Sequence, residues 1–241
     1  MDIERIAAFS DGLNGGNPAG VVVCDKMPEP GEMQDIASEI GYSETVFAVP
    51  EQNQWRVRFF SPEIEVDFCG HAPLALGAEL AKRMGAGAFN FVLNNAEITV
   101  EGRCGADDWG GSFVSPPTSS RAISDETLQA ALKLFNLERH DLDSRIKPVI
   151  ANAGGDHLIL ALKDRKTLKN IAYEQSLGKE LSLREGLVTF NLIHSKQPRI
   201  FYSRNPFPRG GVFEDPATGA AAAALAGYLR EIKWPHDGAL T

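Results

Sequence analysis

Three acid–base residues stand out by position: Glu44, His71 and Asp215. Glu44 follows Ser43 at the mouth of a strand-like run. It reads either as a solvated carboxylate or local cap, or as a general base that later returns the proton as an acid. A free glutamate titrates near ~4.3, and partial burial would raise it toward a useful proton shuttle. His71 lies in Cys69-Gly70-His71-Ala72-Pro73, directly before the alanine-rich run Leu74 to Met84. It is either a satisfied core histidine or a neutral donor to a substrate. Asp215 lies in Glu214-Asp215-Pro216-Ala217-Thr218-Gly219, before the second such run, Ala220 to Ile232. An N-cap aspartate with proline at the first helical position explains it, since capping alone contributes about 1 kcal/mol. The functional alternative is that its carboxylate orders a substrate amine or hydroxyl, while Gly219 and Ala220 lend backbone N–H groups to an anion. Cys69 is read as a small buried hydrophobe in preference to a thiolate at a helix N-terminus.

The two alanine-rich runs carry few charges until their far ends, so both read as helices buried on most sides. The first N–H groups of a helix have no partner inside it, and the dipole places partial positive charge there. Two such N-termini facing one cleft would make a dry anion pocket. Strands are expected at Ile3 to Phe9, Gly20 to Cys24, Thr45 to Val49, Trp55 to Phe60, Glu63 to Phe68, Phe89 to Leu93, Glu97 to Glu101 and Gly110 to Val114. Glu32 to Ile40 has the spacing of a short amphipathic helix ended by Gly41. Ser115 to Ser120 reads as a linker. Beyond it come a helix at Asp125 to Phe135, strands at Lys147 to Ala151 and His157 to Leu162, a surface helix at Thr167 to Leu177, and strands at Gly186 to Ile193 and Arg199 to Ser203. The two halves share an order of elements, which suggests duplicated half-domains with a cleft between them.

Composition narrows the function classes. A net charge of −8 over 241 residues, with no Lys/Arg block, argues against nucleic acid or an anionic membrane surface as the main partner. No apolar run reaches membrane-span length, and the first ten residues lack a signal-peptide core, so a cytoplasmic protein is expected. Cys24, Cys69 and Cys104 form no disulfide framework. Neither metal-ligand spacing nor a phosphate loop occurs, and Gly12 to Asn17 does not fit the dinucleotide pattern, so no metal or cofactor is expected.

Several short pieces together resemble the phenazine-biosynthesis PhzF-like family, of the diaminopimelate-epimerase-like fold. They are Phe9 with Gly16-Asn17-Pro18-Ala19-Gly20-Val21, Met33-Gln34-x-Ile36-Ala37, Ser43-Glu44-Thr45-x-Phe47, Arg58-Phe59-Phe60-Ser61-Pro62-x-x-Glu65-Val66, Cys69-Gly70-His71-Ala72 and Asp215-Pro216-x-Thr218-Gly219. The resemblance implies an α/β (α+β type) protein of two similar halves, 1–116 and 117–241. Each would be a curled mixed or antiparallel sheet around a central buried helix, with the site between them. It implies a cofactor-independent isomerase or epimerase that moves a proton at carbon in a small carboxylic acid; the family's characterised isomerase acts on a hydroxylated dihydroanthranilate. Glu44 would move the proton, and His71 and Asp215 would assist and orient. Substrate contacts would fall to Asn17, Gly70, Ala72, Thr218, Gly219 and Ala220. Homodimers are common in the family. The chain departs from the pattern at Pro73, where a threonine is usual, and at Ala220, where a serine is frequent. It ends at Thr241, ahead of the closing strands the resemblance implies, so lower stability or strands borrowed from a partner are expected. A two-thiol racemase is disfavoured because no cysteine follows Cys104. A non-catalytic binder that keeps the same fold is the alternative.

Overall fold

A computed structural model describes every residue except 1, 13, 106–108, 236 and 237. Leu13 of the Gly12 to Asn17 turn therefore lies outside the described residues. The chain forms two compact units. The first comprises Met1–Ser115 with two returning segments, Gly210–Val212 and Pro216–Gly219. The second comprises Pro116–Arg209, Phe213–Asp215 and Ala220–Thr241.

The N-terminal unit runs β1 (Glu4–Ala8), β2 (Asn17–Val23), α1 (Pro30–Ile40), β3 (Glu44–Glu51), β4 (Gln54–Phe60), β5 (Glu65–Val66), α2 (Ala72–Met84), β6 (Gly87–Val92), β7 (Glu97–Cys104) and β8 (Trp109–Phe113). Its eight strands form one mixed sheet in the order β1-β2-β3-β4-β6-β7-β8, with β5 added beside β4. The β2/β3 and β4/β6 pairs are parallel. The sheet curls around α2, which packs on β1, β2, β3, β6, β7 and β8. Small residues make that enclosure possible. A Cβ on Gly102 of β7 would fall 2.3 Å from the carbonyl oxygen of Gly77 in α2, and one on Gly77 would fall 2.6 Å from Val100. Helix and strand backbones therefore meet directly, which only glycine permits. α1 covers the outer face, where Met33 and Ala37 pack on Val22, Phe47 and Phe60. Gly41 closes α1 in the left-handed conformation (φ 71°), and its N–H donates to Ala37.

The C-terminal unit runs β9 (Ser119–Ala122), α3 (Asp125–Leu134), β10 (Val149–Asn152), β11 (Asp156–Ala161), α4 (Arg165–Lys169), α5 (Gln175–Glu185), β12 (Thr189–Gln197), β13 (Ile200–Pro206), β14 (Glu214–Asp215) and α6 (Gly219–Glu231). Its six-stranded sheet has the order β14-β13-β12-β11-β10-β9, and only β11/β12 is parallel. One face carries a core of Leu128, Leu132, Phe135, Leu158, Phe190 and Leu192 under α3 and α5. The other packs Val149, Ile159 and Ile193 against Ala224, Leu225 and Leu229 of α6. Alternate residues of each strand face opposite ways, so both faces can be apolar.

The same order of elements occurs twice. Each unit has an antiparallel pair, a parallel pair reached through helix, a hairpin, a two-residue strand and then the buried helix. The parallel pairs begin at Ala19 with Glu44 in the first unit and at His157 with Thr189 in the second. Each two-residue strand is clamped to its neighbour by a forked arginine–glutamate pair. Arg58 Nε donates to Glu65 Oε1 at 2.7 Å, and Arg204 Nε donates to Glu214 Oε1 at 3.0 Å.

Some local expectations change. The strand expected at Glu63 to Phe68 shrinks to Glu65–Val66, because Ser61 folds a tight turn in which its N–H donates to the Ile64 carbonyl at 2.8 Å. The supposed linker already enters β9 at Ser119. The helix expected at Thr167 to Leu177 is two helices, with Asn170 ending α4 and Gln175 opening α5. Between them Tyr173 turns to Phe213: its hydroxyl donates to the Phe213 carbonyl and the two rings stack at 4.5 Å. Burial raises the Tyr173 pKa above its ordinary value. Among the described residues no helix is long and apolar enough to cross a membrane.

Candidate active site

Glu44 is the first residue of β3 and sits on the sheet face toward α2. Two residues further on that face lies Val46, which is fully buried. The Glu44 side chain is itself buried. His71 precedes the first turn of α2 and caps it through its backbone carbonyl, which accepts from the Ala75 N–H at 3.0 Å. Its side chain makes no capping bond. Instead Nε2 stands 3.6 Å from Glu44 Oε2, with both side chains almost wholly excluded from water. That is ion-pair range and slightly longer than a hydrogen bond. A carboxylate and an imidazole held dry at this distance can pass a proton to a guest with little solvent reorganisation.

Asn17, at the start of β2, ties the neighbouring backbone together. Its Nδ2 donates to the Ala217 carbonyl at 3.0 Å, across 200 residues of sequence. Its Oδ1 accepts from Ser43 Oγ at 3.2 Å, beside Glu44. The returning segment Pro216–Gly219 is thereby fastened to the strand ends that carry Glu44. Gly219 then lies on Gly70: a Cβ at Gly219 would stand 3.2 Å from the Gly70 Cα and 3.3 Å from its carbonyl carbon. The same Cβ would be 3.2 Å from Cζ of Phe9, an exposed side chain on a left-handed backbone (φ 59°). The entry turn of α2 and the first residue of α6 are thus in van der Waals contact within the N-terminal unit. Pro73 occupies the first turn of α2 and contributes no N–H, so donors at that entry come from its neighbours Ala72 and Leu74.

Asp215 and Ala220 belong to the C-terminal unit, on either side of the returning segment. Both are buried. Asp215 is not the N-cap that its sequence suggested. It pairs with Asn205 in β14, and α6 begins only at Gly219. Pro216 forces the residue before it into extended conformation, which suits a strand. The two residues before Asp215 are both anchored, Glu214 by the Arg204 fork and Phe213 by its stack with Tyr173. Thr218 lies half-buried in the returning segment, and Ala72 is the fully buried first residue of α2. Cys69 is buried next to Gly70.

Sequence reasoning passed over one group. His157, Thr189, Asn191 and Asn205 form a buried polar row in the C-terminal unit. The alternation of Thr189 and Asn191 within an apolar strand was the available signal.

The comparisons agree with this architecture. The family model described as phenazine biosynthesis-like protein matches residues 6–236. The uncharacterized isomerase PA2770 of Pseudomonas aeruginosa is 32% identical over 95% of this chain and 81% of its own length. The uncharacterized isomerase YddE of Escherichia coli K12 is 27% identical over 98% and 82%. A predicted epimerase, PA4716, from Pseudomonas aeruginosa superposes with a TM-score of 0.84 at 22% identity, over 96% of this chain and 82% of that one. A hydroxyproline epimerase from Agrobacterium vitis, solved with bound trans-4-hydroxy-L-proline, gives 0.63 at 10% identity, over 90% and 74%, and so shares the fold. With the duplicated curled sheets, the buried helices and a family match spanning nearly its whole length, the chain belongs to the phenazine biosynthesis-like (PhzC-PhzF) family and is an isomerase of that kind.

Proposed function

We propose that this isomerase works without a cofactor and moves a proton at carbon in a small carboxylic acid, with Glu44 as base and then acid. The observation that carries the reading is the dry Glu44–His71 pair at 3.6 Å, standing beside the contact of Gly70 with Gly219. The substrate carboxylate is placed at the N–H groups around Gly70, Ala72, Gly219 and Ala220, where helix ends favour negative charge by about 0.3–1 kcal/mol each. Glu44 takes a proton from one carbon of the guest. Charge then spreads toward the substrate's carboxyl or its conjugated system and is met by those N–H groups and by His71. The Glu44 carboxyl exchanges its proton with solvent and then protonates another carbon on the same face of the guest, so the reaction is isomeric overall and solvent label enters at carbon. Asp215, one peptide bond ahead of the returning segment, orients an amine or hydroxyl of the substrate. Asn17 and Thr218 set the shape of the site. The assembly is taken to be a homodimer, which light scattering checks.

Incubation of the protein with candidate acids in D₂O tests the reading. The panel includes 4-hydroxyproline and a hydroxylated dihydroanthranilate, and mass spectrometry follows label at carbon. Label is expected with the native chain and should fall by about a thousandfold with Glu44→Gln. Equal labelling by both proteins would remove Glu44 from the chemistry. Saturable binding of the panel without label in either protein would favour a binder.

A further inference from the structure

Four neighbouring strands of the C-terminal sheet each place a polar side chain on the face under α6. His157 comes from β11, Thr189 and Asn191 from β12, Asn205 from β13 and Asp215 from β14. The registers fix the row: His157 pairs with Thr189, Asn205 pairs with Asp215, and Asn191 stands opposite Asn205, one step beyond the Leu192–Arg204 pair. Asn191 confirms the face, because its Nδ2 donates to the Ala221 carbonyl of α6 at 3.3 Å. All five residues are at least 98% buried. His157 Nδ1 and Thr189 Oγ1 are 2.7 Å apart. Three atoms in the row, His157 Nε2, Asn191 Oδ1 and Asn205 Oδ1, have no hydrogen-bond partner among the described protein atoms.

Buried polar atoms in folded proteins are nearly always satisfied, and where no protein group serves, ordered water does. A water needs two to four polar partners, and side chains on adjacent strands about 5 Å apart leave the right gap for one. Asn191, Asn205 and Asp215 share one rung of the sheet, and His157 with Thr189 forms the next rung on the same face, two residues back along β12. We propose that His157 is a positioning residue for Asp215: water held by Asn191 and Asn205 links the imidazole Nε2 to the carboxylate and fixes the rotamer in which Asp215 meets substrate. The imidazole suits this task because burial keeps it neutral, with its pKa pushed down to about 4 against the opposing pull of Asp156 and Asp215. A neutral ring can present Nε2 in one tautomer, set by the Nδ1 bond to Thr189. In the first unit the opening positions of the parallel pair hold Ala19 and Glu44, so no histidine stands at the place of His157. This inference rests on the reading that Asp215 serves the reaction.

Two measurements test it. In full-length protein labelled with ¹⁵N-histidine, Asp215→Asn should shift the Nε2 resonance of His157 and leave its neutral state unchanged near pH 7. An unmoved resonance overturns the link, whatever the activity. In the deuterium assay, His157→Phe should lower kcat about tenfold to a hundredfold with KM within about twofold, since misplaced groups lose rate more than binding. His157→Gln, which keeps a polar atom toward the row, should recover most of that loss at an unchanged melting temperature. An unchanged kcat for His157→Phe, or a loss that only follows melting temperature across both variants, overturns the positioning role. Absence of label with the native chain defeats the parent reading, while the resonance shift still decides whether His157 and Asp215 are linked.

Discussion

Exchanging Asn17 for aspartate changes one atom group in a fully buried side chain and gives a quantitative test of how the returning segment is held. Asn17 donates to the Ala217 carbonyl at 3.0 Å and accepts from Ser43 at 3.2 Å. In Asn17→Asp the acceptor survives, but an ionised oxygen now faces the Ala217 oxygen. A buried hydrogen bond is lost and two acceptors are set against each other, which costs about 1–3 kcal/mol for a neutral group and more for a charged one. About 4 kcal/mol is therefore expected near pH 7. When the introduced carboxyl is protonated, its O–H donates to Ala217 and most of the loss is recovered, leaving about 1 kcal/mol. The folded state thus raises the pKa of that carboxyl above its unfolded value of about 3.9. The stability so contributed is fully present below the unfolded pKa and is lost as pH rises through the folded one. The gap of about 3 kcal/mol equals about two pH units, so the change falls between about pH 4 and pH 6. Urea unfolding of both proteins across that range gives the difference directly. Asn17→Leu serves as the control, with a loss that does not vary with pH in this way. A cost for Asn17→Asp that is flat with pH, or below about 1 kcal/mol near pH 7, would refute the bond between β2 and the returning segment.

Other outcomes follow from the same structure. His157 is buried with its pKa lowered to about 4; the unfolded chain therefore takes up its proton first, and stability falls as pH drops from about 6.5 toward 4, by about 3 kcal/mol. His157→Gln should remove that part of the acid sensitivity in urea titrations, and an unaltered pH dependence would show that the imidazole is not enclosed. Gly102→Ala puts a methyl 2.3 Å from the Gly77 carbonyl, and should cost more than about 3 kcal/mol in urea unfolding or prevent folding; a loss under about 1 kcal/mol would mean that α2 is not in backbone contact with β7. Gly219→Ala places its Cβ 3.2 Å from Gly70, a contact that can relax, so it should cost about 1 kcal/mol of stability while reducing isomerisation at least tenfold. Native-like rates in that variant would separate the Gly70–Gly219 contact from the chemistry.

Much of the fold was legible because its signals are periodic. The alanine-rich runs announced α2 and α6, and the spacing of Met33 and Ala37 announced α1. The duplicated order was visible as a sequence of elements although residue identity between the halves is slight. What failed were boundaries set by tertiary contacts. Tyr173 looked like one more position in a surface helix, yet its ring belongs to Phe213, and that attachment splits the helix. Asp215 followed by Pro216 has the local grammar of a helix start; pairing with Asn205 and the neighbouring Arg204–Glu214 fork make it strand instead. Glu44 and His71 could be named from their places at a strand mouth and a helix entry. Their approach to 3.6 Å could not, since it depends on how β3 and α2 register inside the curled sheet. The polar row from His157 to Asn205 was hidden for a similar reason: its members are scattered over about fifty residues and converge only through strand pairing.

The chain's double return to its first unit, at Gly210–Val212 and Pro216–Gly219, bears on how the gene for such a protein can be cut. A fragment ending at Ser115 today would lack the peptide that supplies Ala217 to Asn17, and the glycine at 211 that sits against Glu63. The later half has lent two short stretches to the earlier one, so the earlier half cannot be transplanted or expressed alone without carrying an unhealed edge.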